Sequence, residues 1–316
     1  MADSVIQSGV QTQVVAEFWN EQFLKRLEAG LILKGFGRTG SIPENEGDRV
    51  HWLRVENIAD VTSSLSEGYD PDAQYVSATD LTADLQEEGS AIRVATRLMK
   101  TSVRGTLTEF TNALLYQARK RIDTVLRDVA FGGSSKYYAS ASQWESAVAT
   151  TDKLSGIDVS TVVAYLRNKS APTFSDGFYV GLIHPYVAHD LRRDGDWLDA
   201  SKYVESGVKR IYQGEIGTLH GVRFIETTQA PIDINSGSAE NATSGSALDV
   251  YKTLIFGPDF FGVSELYGLK IITRIPAPES KLEQWGTIGW KSSFATRRLN
   301  EDLAYLIYSS SSLSTL

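Results

Sequence analysis

The sequence predicts an α+β chain, and three observations carry that expectation. From Thr106 the run TLTEFTNALLYQARKRIDTVLRDVA repeats apolar residues at helical spacing for about 25 residues. Stretches such as RVHWLRV from Arg49 and FYVGLI from Phe178 read as strands. No repeat of roughly 20 to 50 residues runs through the chain, which sets aside solenoids and propellers. With 316 residues, 42% of them hydrophobic and 22% charged, the chain has a globular profile. It is long enough for about two ordinary domains, or for one with long excursions.

The same totals exclude several chemistries. There is no cysteine, so disulfides, thiolate nucleophiles and cysteine zinc sites are ruled out. No apolar stretch approaches the ~20 residues that a membrane helix requires. The start, MADSVIQSGVQTQVV, lacks a basic region followed by an apolar run, so no signal peptide is expected. The formal net charge is -8, so any grip on nucleic acid has to come from a local basic face.

Residues 12–30 are expected to form a helix. Val15, Trp19, Phe23 and Leu27 recur every four residues as one apolar row, and Gly30 is a natural stop. A short helix with two large aromatics must dock, either on its own core or on a neighbouring subunit. Next comes a strand at 49–55. From residue 55 to 92 the chain then has no lysine and no arginine, yet it carries Glu56, Asp60, Glu67, Asp70, Asp72, Asp80, Asp84, Glu87 and Glu88. The turn signal Glu67-Gly68-Tyr69-Asp70-Pro71 sits in the middle. We read an extended hairpin with a long acidic tip, its return drawn from 79–85 and 90–99. Two strands alone are marginal in water, so such a hairpin has to lie on another surface.

The helix at 106–130 follows. Thr106 and Glu109 have capping-box spacing, and Phe110, Leu114, Ala118, Ile122, Val125 and Val129 form its stripe. Gly132 and Gly133 end it. At 1.5 Å per residue it spans about 37 Å. Its surroundings are basic: Arg93, Arg97, Lys100, Arg104, Arg119, Lys120, Arg121 and Arg127 face only Glu109 and Asp123. An acidic segment is thus followed directly by a basic one. They are complementary either within one subunit or between subunits.

Residues 134–155 read as a loop. Asp158 is expected to cap a helix reaching about Lys169, which Pro172 breaks. A buried strand at 178–183 leads into a helix with Pro185 in its first turn and His184 at its cap. A second short helical stretch follows Gly195. Two strands are expected at 211–227 around Gly214, Gly217 and Gly221, then an exposed Ser/Gly/Asn-rich loop at 234–247 and a strand at 251–256.

Catalytic motifs are missing. His184 and His189 are five apart, about 500° of helical rotation, so they do not share a face. A zinc helix needs spacing four with a glutamate between. Arg192 and Arg193 offset Asp190, Asp194 and Asp196, and Asp194-Gly195-Asp196 lacks the rest of a calcium loop. No GxGxxG follows a strand, and neither GxxxxGK[ST] nor GxSxG occurs. His51 and His220 are expected as packing residues in strands.

Four segments in order carry a resemblance: FYVGLIHPYVAHDLRRD, IYQGEIGTLHGVRFIET, LIFGPDFFGV and WGTIGWKSSFATRRLNEDLAYL. Phe18-Trp19 in a helix and Gly47-Asp48 before the first strand add to it. The sequence resembles the major capsid proteins of tailed bacteriophages, above all the family typified by the phage named N-four. The likeness covers most of the chain and weakens at 134–155 and 232–249.

The resemblance implies the Hong Kong 97-type capsid fold. Its parts would be an N-terminal arm (1–40), an extended hairpin or E-loop (41–99), a peripheral domain with the spine helix (100–155 and 262–316) and an axial domain (156–261). It also implies a structural role in an icosahedral shell around double-stranded DNA, with neither catalysis nor cofactor. The chain itself, in hexamers and pentamers, would be the main partner. A portal protein, scaffold or decoration proteins and non-specifically contacted DNA would be others, with no membrane. Assembly would occur in the host cytoplasm.

Candidate inter-subunit contacts are Trp19, Phe23, Glu67, Asp70, Asp72, Asp84, Glu87, Arg104, Arg119, Lys120 and Arg121. Some capsids of this fold join an E-loop lysine to an asparagine by an isopeptide bond. Residues 35–99 contain no lysine, so non-covalent maturation is expected. An encapsulin-like compartment shares the implied fold and is the alternative. A metal-dependent hydrolase using His184, His189 and Asp190 is the remote one.

Overall fold

The computed structural model describes residues 32–43, 47–60, 64, 68, 73–101, 106–195, 215–238 and 248–313. The expected helix at 12–30 and the helical stretch after Gly195 lie outside the described residues.

Thirteen described strands form three sheets. After β1 (Arg38–Ser41), a two-stranded hairpin pairs β2 (Arg49–Val55) with β3 (Ala78–Asp84), Arg49 facing Asp84 and Val55 facing Ala78. A four-stranded sheet runs β1 (Arg38–Ser41), β11 (Phe261–Arg274), β12 (Trp285–Arg298), β4 (Gln86–Ala95), with only the β1 pairing parallel. The largest sheet is ordered β5 (Lys136–Tyr138), β13 (Ala304–Ser309), β10 (Val250–Phe256), β6 (Tyr179–Ile183), β8 (Val222–Glu226), β7 (Glu215–Leu219). The short β9 (Ile232–Asp233) also pairs with β10.

The large sheet is covered on both faces, which explains why its strands read as continuous apolar runs. On one face Tyr179, Ile183, Phe224 and Ile255 pack with Val159, Val163 and Leu166 of α3 (Gly156–Asn168) and Val187 and Leu191 of α4 (Pro185–Leu191). On the other, Val180, Leu182, Leu254, Phe256 and Leu306 meet Leu126, Ala130, Phe131, Phe260 and Phe261.

The long helix α2 (Thr106–Ala130) joins the two large sheets. Its first half packs Leu114 and Ala118 on Val94, Ile288 and Trp290 of the four-stranded sheet. Its second half buries Leu126 and Ala130 against the large sheet. This differs from the expected stripe, in which Val125 and Val129 took that place. The two cores do not lie along one line of the helix surface, so the buried face shifts by one position. Asp123, buried between them, accepts the Leu33 N–H at 3.2 Å and so ties the incoming chain to the helix. A second, six-residue helix, α1 (Thr96–Thr101), precedes α2.

Several expectations are corrected. The hairpin returns through β3 alone. Residues 90–99 were expected to share in that return, but they belong to β4 and α1, because β4's full length pairs with β12. Ser155, not Asp158, is the N-cap of α3: its hydroxyl accepts the Asp158 N–H, and Asp158 at the third helical position accepts the Ser155 N–H in return. The 134–155 loop contributes β5, parallel to β13. His51 is exposed on β2 and bonded to Asp80, so it is no packing residue. His220 sits at positive φ beside Gly221, also at positive φ, in the two-residue turn from β7 to β8. Gly217, expected at a turn, lies within β7 at a register shift. Finally, β13 pairs with β10 over six residues, so the large sheet takes strands from both sides of the expected boundary at 261.

Candidate assembly surfaces

The hairpin has two unlike faces because side chains alternate along a strand. Its inner face holds Trp52, whose ring lies against Gly262. A Cβ on that glycine would stand 3.2 Å from Trp52 Cε2. Arg54 donates to the Leu299 carbonyl at 3.4 Å, and Arg297 donates to the Thr82 carbonyl. These contacts fix the hairpin's root to the ends of β11 and β12.

The outer face starts with charge pairs: Arg49 with Asp84 and His51 with Asp80, both at 2.7 Å. On the inner side, at the parity of Trp52, Arg54 also binds Glu56 at 2.8 Å, and that contact, with a hydrogen bond from Thr79, holds the Glu56 carboxyl below its ordinary range. Toward the tip the surface turns apolar. Leu53 is 70% exposed and Tyr75 94% exposed, with Val55, Ile58 and Val76 also open to solvent. Val50 and Trp52 share the inner parity of this strand. Leu53 and Val55, at the opposite parity, were the available signal for this second apolar face.

The expected contact residues divide into three groups. Trp19, Phe23, Glu67, Asp70, Asp72 and Arg104 lie outside the described residues. Asp84, Glu87 and Arg121 have partners within the chain: Asp84 with Arg49, Glu87 with the Tyr267 hydroxyl at 2.6 Å, and Arg121 with Glu88 through two bonds of 2.7 and 3.1 Å. Part of the acidic-to-basic complementarity is therefore intramolecular, because β4 lies beside α2. Arg119 and Lys120 are exposed on α2.

The cluster around His184 is built into the fold. The His184 ring accepts the Tyr186 N–H at 3.2 Å as the cap of α4, and burial lowers its pKa, favouring the neutral ring. Asp190 holds the C-terminal segment. It accepts the Ser312 N–H at 2.7 Å, the Ser312 hydroxyl, and the Ser311 hydroxyl at 3.1 Å. Burial alone would raise its pKa, but these bonds outweigh burial and the net direction is down. Asp194 accepts the Gly156 N–H at 2.6 Å, at the start of α3. His189 Nδ1 lies 3.5 Å from Asp190. Among the described residues no three such side chains converge as metal ligands would.

Solved structures define the class. The fold matches the capsid of the cyanophage P-SCSP1u with a TM-score of 0.73 at 14% identity, over 97% of this chain and 96% of that one. It matches the capsid of Ralstonia phage GP4 at 0.71 and 13% identity, covering 98% of each chain. The capsid of cyanophage Pam1 matches at 0.71 and 12% identity, over 99% of this chain and 100% of the other. At such identities the likeness is one of fold, and the fold is the Hong Kong 97-type capsid fold. No curated protein sequence matches the chain.

The chain belongs to the phage capsid protein family, whose model matches residues 74–260. It is a structural major capsid protein, a self-associating component of the virion shell.

Proposed function

We propose that this subunit forms hexamers and pentamers, and that these close non-covalently into the icosahedral shell around the double-stranded DNA of a tailed phage. The observation that carries the proposal is the hairpin. A two-stranded element with Leu53, Val55 and Tyr75 facing solvent buries too little by itself, and a neighbouring subunit would complete it. The acidic hairpin packs over the basic peripheral region of the adjacent subunit, while Trp19 and Phe23 dock the arm. Exposed arginines and lysines of α2, such as Arg119 and Lys120, contact DNA phosphates without reading sequence.

The four-part division into arm, E-loop, peripheral and axial domains is retained, with β5 and β13 added to the axial sheet. The role is structural and involves neither catalysis nor cofactor. Assembly takes place in the host cytoplasm, with a portal protein and with scaffold or decoration proteins as partners. The absence of lysine from 35–99 supports maturation without isopeptide staples. Many weak contacts per subunit make such a shell stable without covalent help.

The test is expression of the chain alone, followed by negative-stain microscopy and sedimentation. Closed shells or capsomer rings are the expected result. A chain that stays monomeric both alone and with the scaffold and portal proteins of its own genome would refute the proposal.

A further inference from the structure

The two segments where the sequence resemblance weakens, 134–155 and 232–249, meet beside β10. The Ser238 N–H donates to the Val148 carbonyl at 2.9 Å, and the Gly237 N–H donates to the Leu248 carbonyl at 2.8 Å. At this junction Lys252 of β10 holds Asp233 of β9, Nζ to Oδ2 at 2.6 Å, with only 18% of the lysine side chain exposed. The other lysine ion pairs among the described residues, Lys34 with Glu265 and Lys169 with Asp302, leave the lysine half exposed. The Lys252 ammonium also lies 5.3 Å from the centroid of the buried Tyr308 ring. Both backbones are fixed by the sheet. Asp233 faces Val250 in the ladder, and the Lys252 N–H donates to the Pro231 carbonyl at 3.2 Å.

A second carboxyl joins the pair. Glu145, in the turn Glu145–Ala147, shares a side-chain hydrogen bond with Asp233. Two carboxyl groups bond in this way only when one of them carries a proton. Burial, and then that bond, raises the Glu145 pKa, while Ser236 and Lys252 oppose the rise. An amine, a carboxyl carbon and a proton carrier therefore converge. An ion pair alone has no use for a protonated carboxyl beside it.

We propose that Lys252 and Asp233 condense into an isopeptide bond within the chain, with Glu145 as the proton carrier. The Lys252 Nζ attacks the Asp233 Cγ, which lies one bond beyond the oxygen that Nζ already touches. A C–N bond forms, a C–O bond breaks, and the oxygen leaves as water. The ammonium sheds two protons and the departing oxygen takes up two; Glu145 relays them and ends as it began. An ammonium and a carboxylate become one amide and one water, so atoms and charge balance without any co-reactant. Two physical effects favour the step. The sheet holds the reacting groups together, and the amide removes two charges from a half-buried site. The bond would close the base of the exposed Ser/Gly/Asn-rich loop at 234–247. It lies inside one chain, so it joins no subunits and does not rest on the shell reading.

Mass spectrometry of the purified full chain, unfolded in acid, tests the proposal. The expected mass is one water, about 18 Da, below that of the sequence. Trypsin should fail to cut after Lys252. Residues 224–270 should then appear as one peptide that carries the loss and yields no backbone fragments between 233 and 252. Lys252→Arg keeps the ion pair but lacks the attacking amine, and should restore the full mass. Glu145→Gln keeps a hydrogen bond to Asp233 but cannot relay protons, and should slow the appearance of the lighter species about a hundredfold. Full mass with normal cleavage after Lys252 in the folded chain leaves an ordinary ion pair and overturns the proposal. A loss that persists in Lys252→Arg comes from another site and overturns it as well. Unchanged formation in Glu145→Gln overturns the role given to Glu145.

Discussion

Asp123 shows how one side chain can be a structural necessity and an electrostatic burden at once. Burial raises its pKa, while its oxygen accepts the Leu33 N–H. A raised carboxyl pKa means that the cost of the charge is present above the folded pKa and vanishes below the unfolded one. Asp123→Asn keeps an acceptor and removes the charge, so it should be neutral or stabilising near pH 7 and lose that advantage near pH 4. Asp123→Ala leaves the N–H unpaired and should cost about 1–3 kcal/mol. Urea unfolding at the two pH values checks both.

Asp190 and His184 have the opposite sign. The lowered pKa of Asp190 gives stability above its unfolded value that is lost as pH falls through the folded one. The lowered pKa of His184 likewise makes the fold lose stability as pH falls below about 6.5. Hydrogen exchange at the Ser312 N–H should therefore accelerate relative to intrinsic rates as pH falls. Asp190→Ala should produce that loosening already at pH 7.

The hairpin is an element with no core of its own. Its attachment rests on Trp52 against Gly262 and on backbone bonds from Arg54 and Arg297. Trp52→Ala should free the hairpin while leaving the two main cores folded. Limited proteolysis would then cut within 56–77 much faster than in the parent chain, with the far-UV spectrum little changed. Retained protection would mean that the polar bonds suffice. The element was legible in the sequence as far as β2, the turn signal and the return at 79–85, because alternation and Gly/Pro chemistry are local. The end of its return was not: Ile92 and Val94 alternate just as a hairpin strand would, and only their pairing with β12 assigns them to another sheet. The long strands β11 and β12 were missed for a related reason. Their burial changes along their length, from buried where α2 and β10 are near to exposed at the far end of β11.

At the scale of the whole molecule, charge and covalent chemistry make separate predictions. Without lysine in 35–99, mature particles boiled in detergent should run as a single monomer band, and a ladder of cross-linked multimers would contradict this. Reversing Asp70 and Asp72 to lysine should weaken assembly, and more so at low salt, where screening is least. Light scattering across a salt series measures this, and unchanged assembly at low salt would remove the acidic segment from the contact.

The sequence by itself determined the α+β class, the long helix, the acidic-then-basic order of charge and the absence of cysteine chemistry. It did so because helical period, strand alternation and composition are properties of neighbours along the chain. It also settled the nature of the His184 to Asp194 stretch in part, since spacing alone separates the two rings. Only the tertiary structure decided that Asp190 reaches Ser312, that Arg121 takes Glu88 for itself, and that Lys270 stands opposite Lys291. These partners are 21 to 122 residues apart, and register between distant strands is set by how whole faces are buried, which no local pattern encodes.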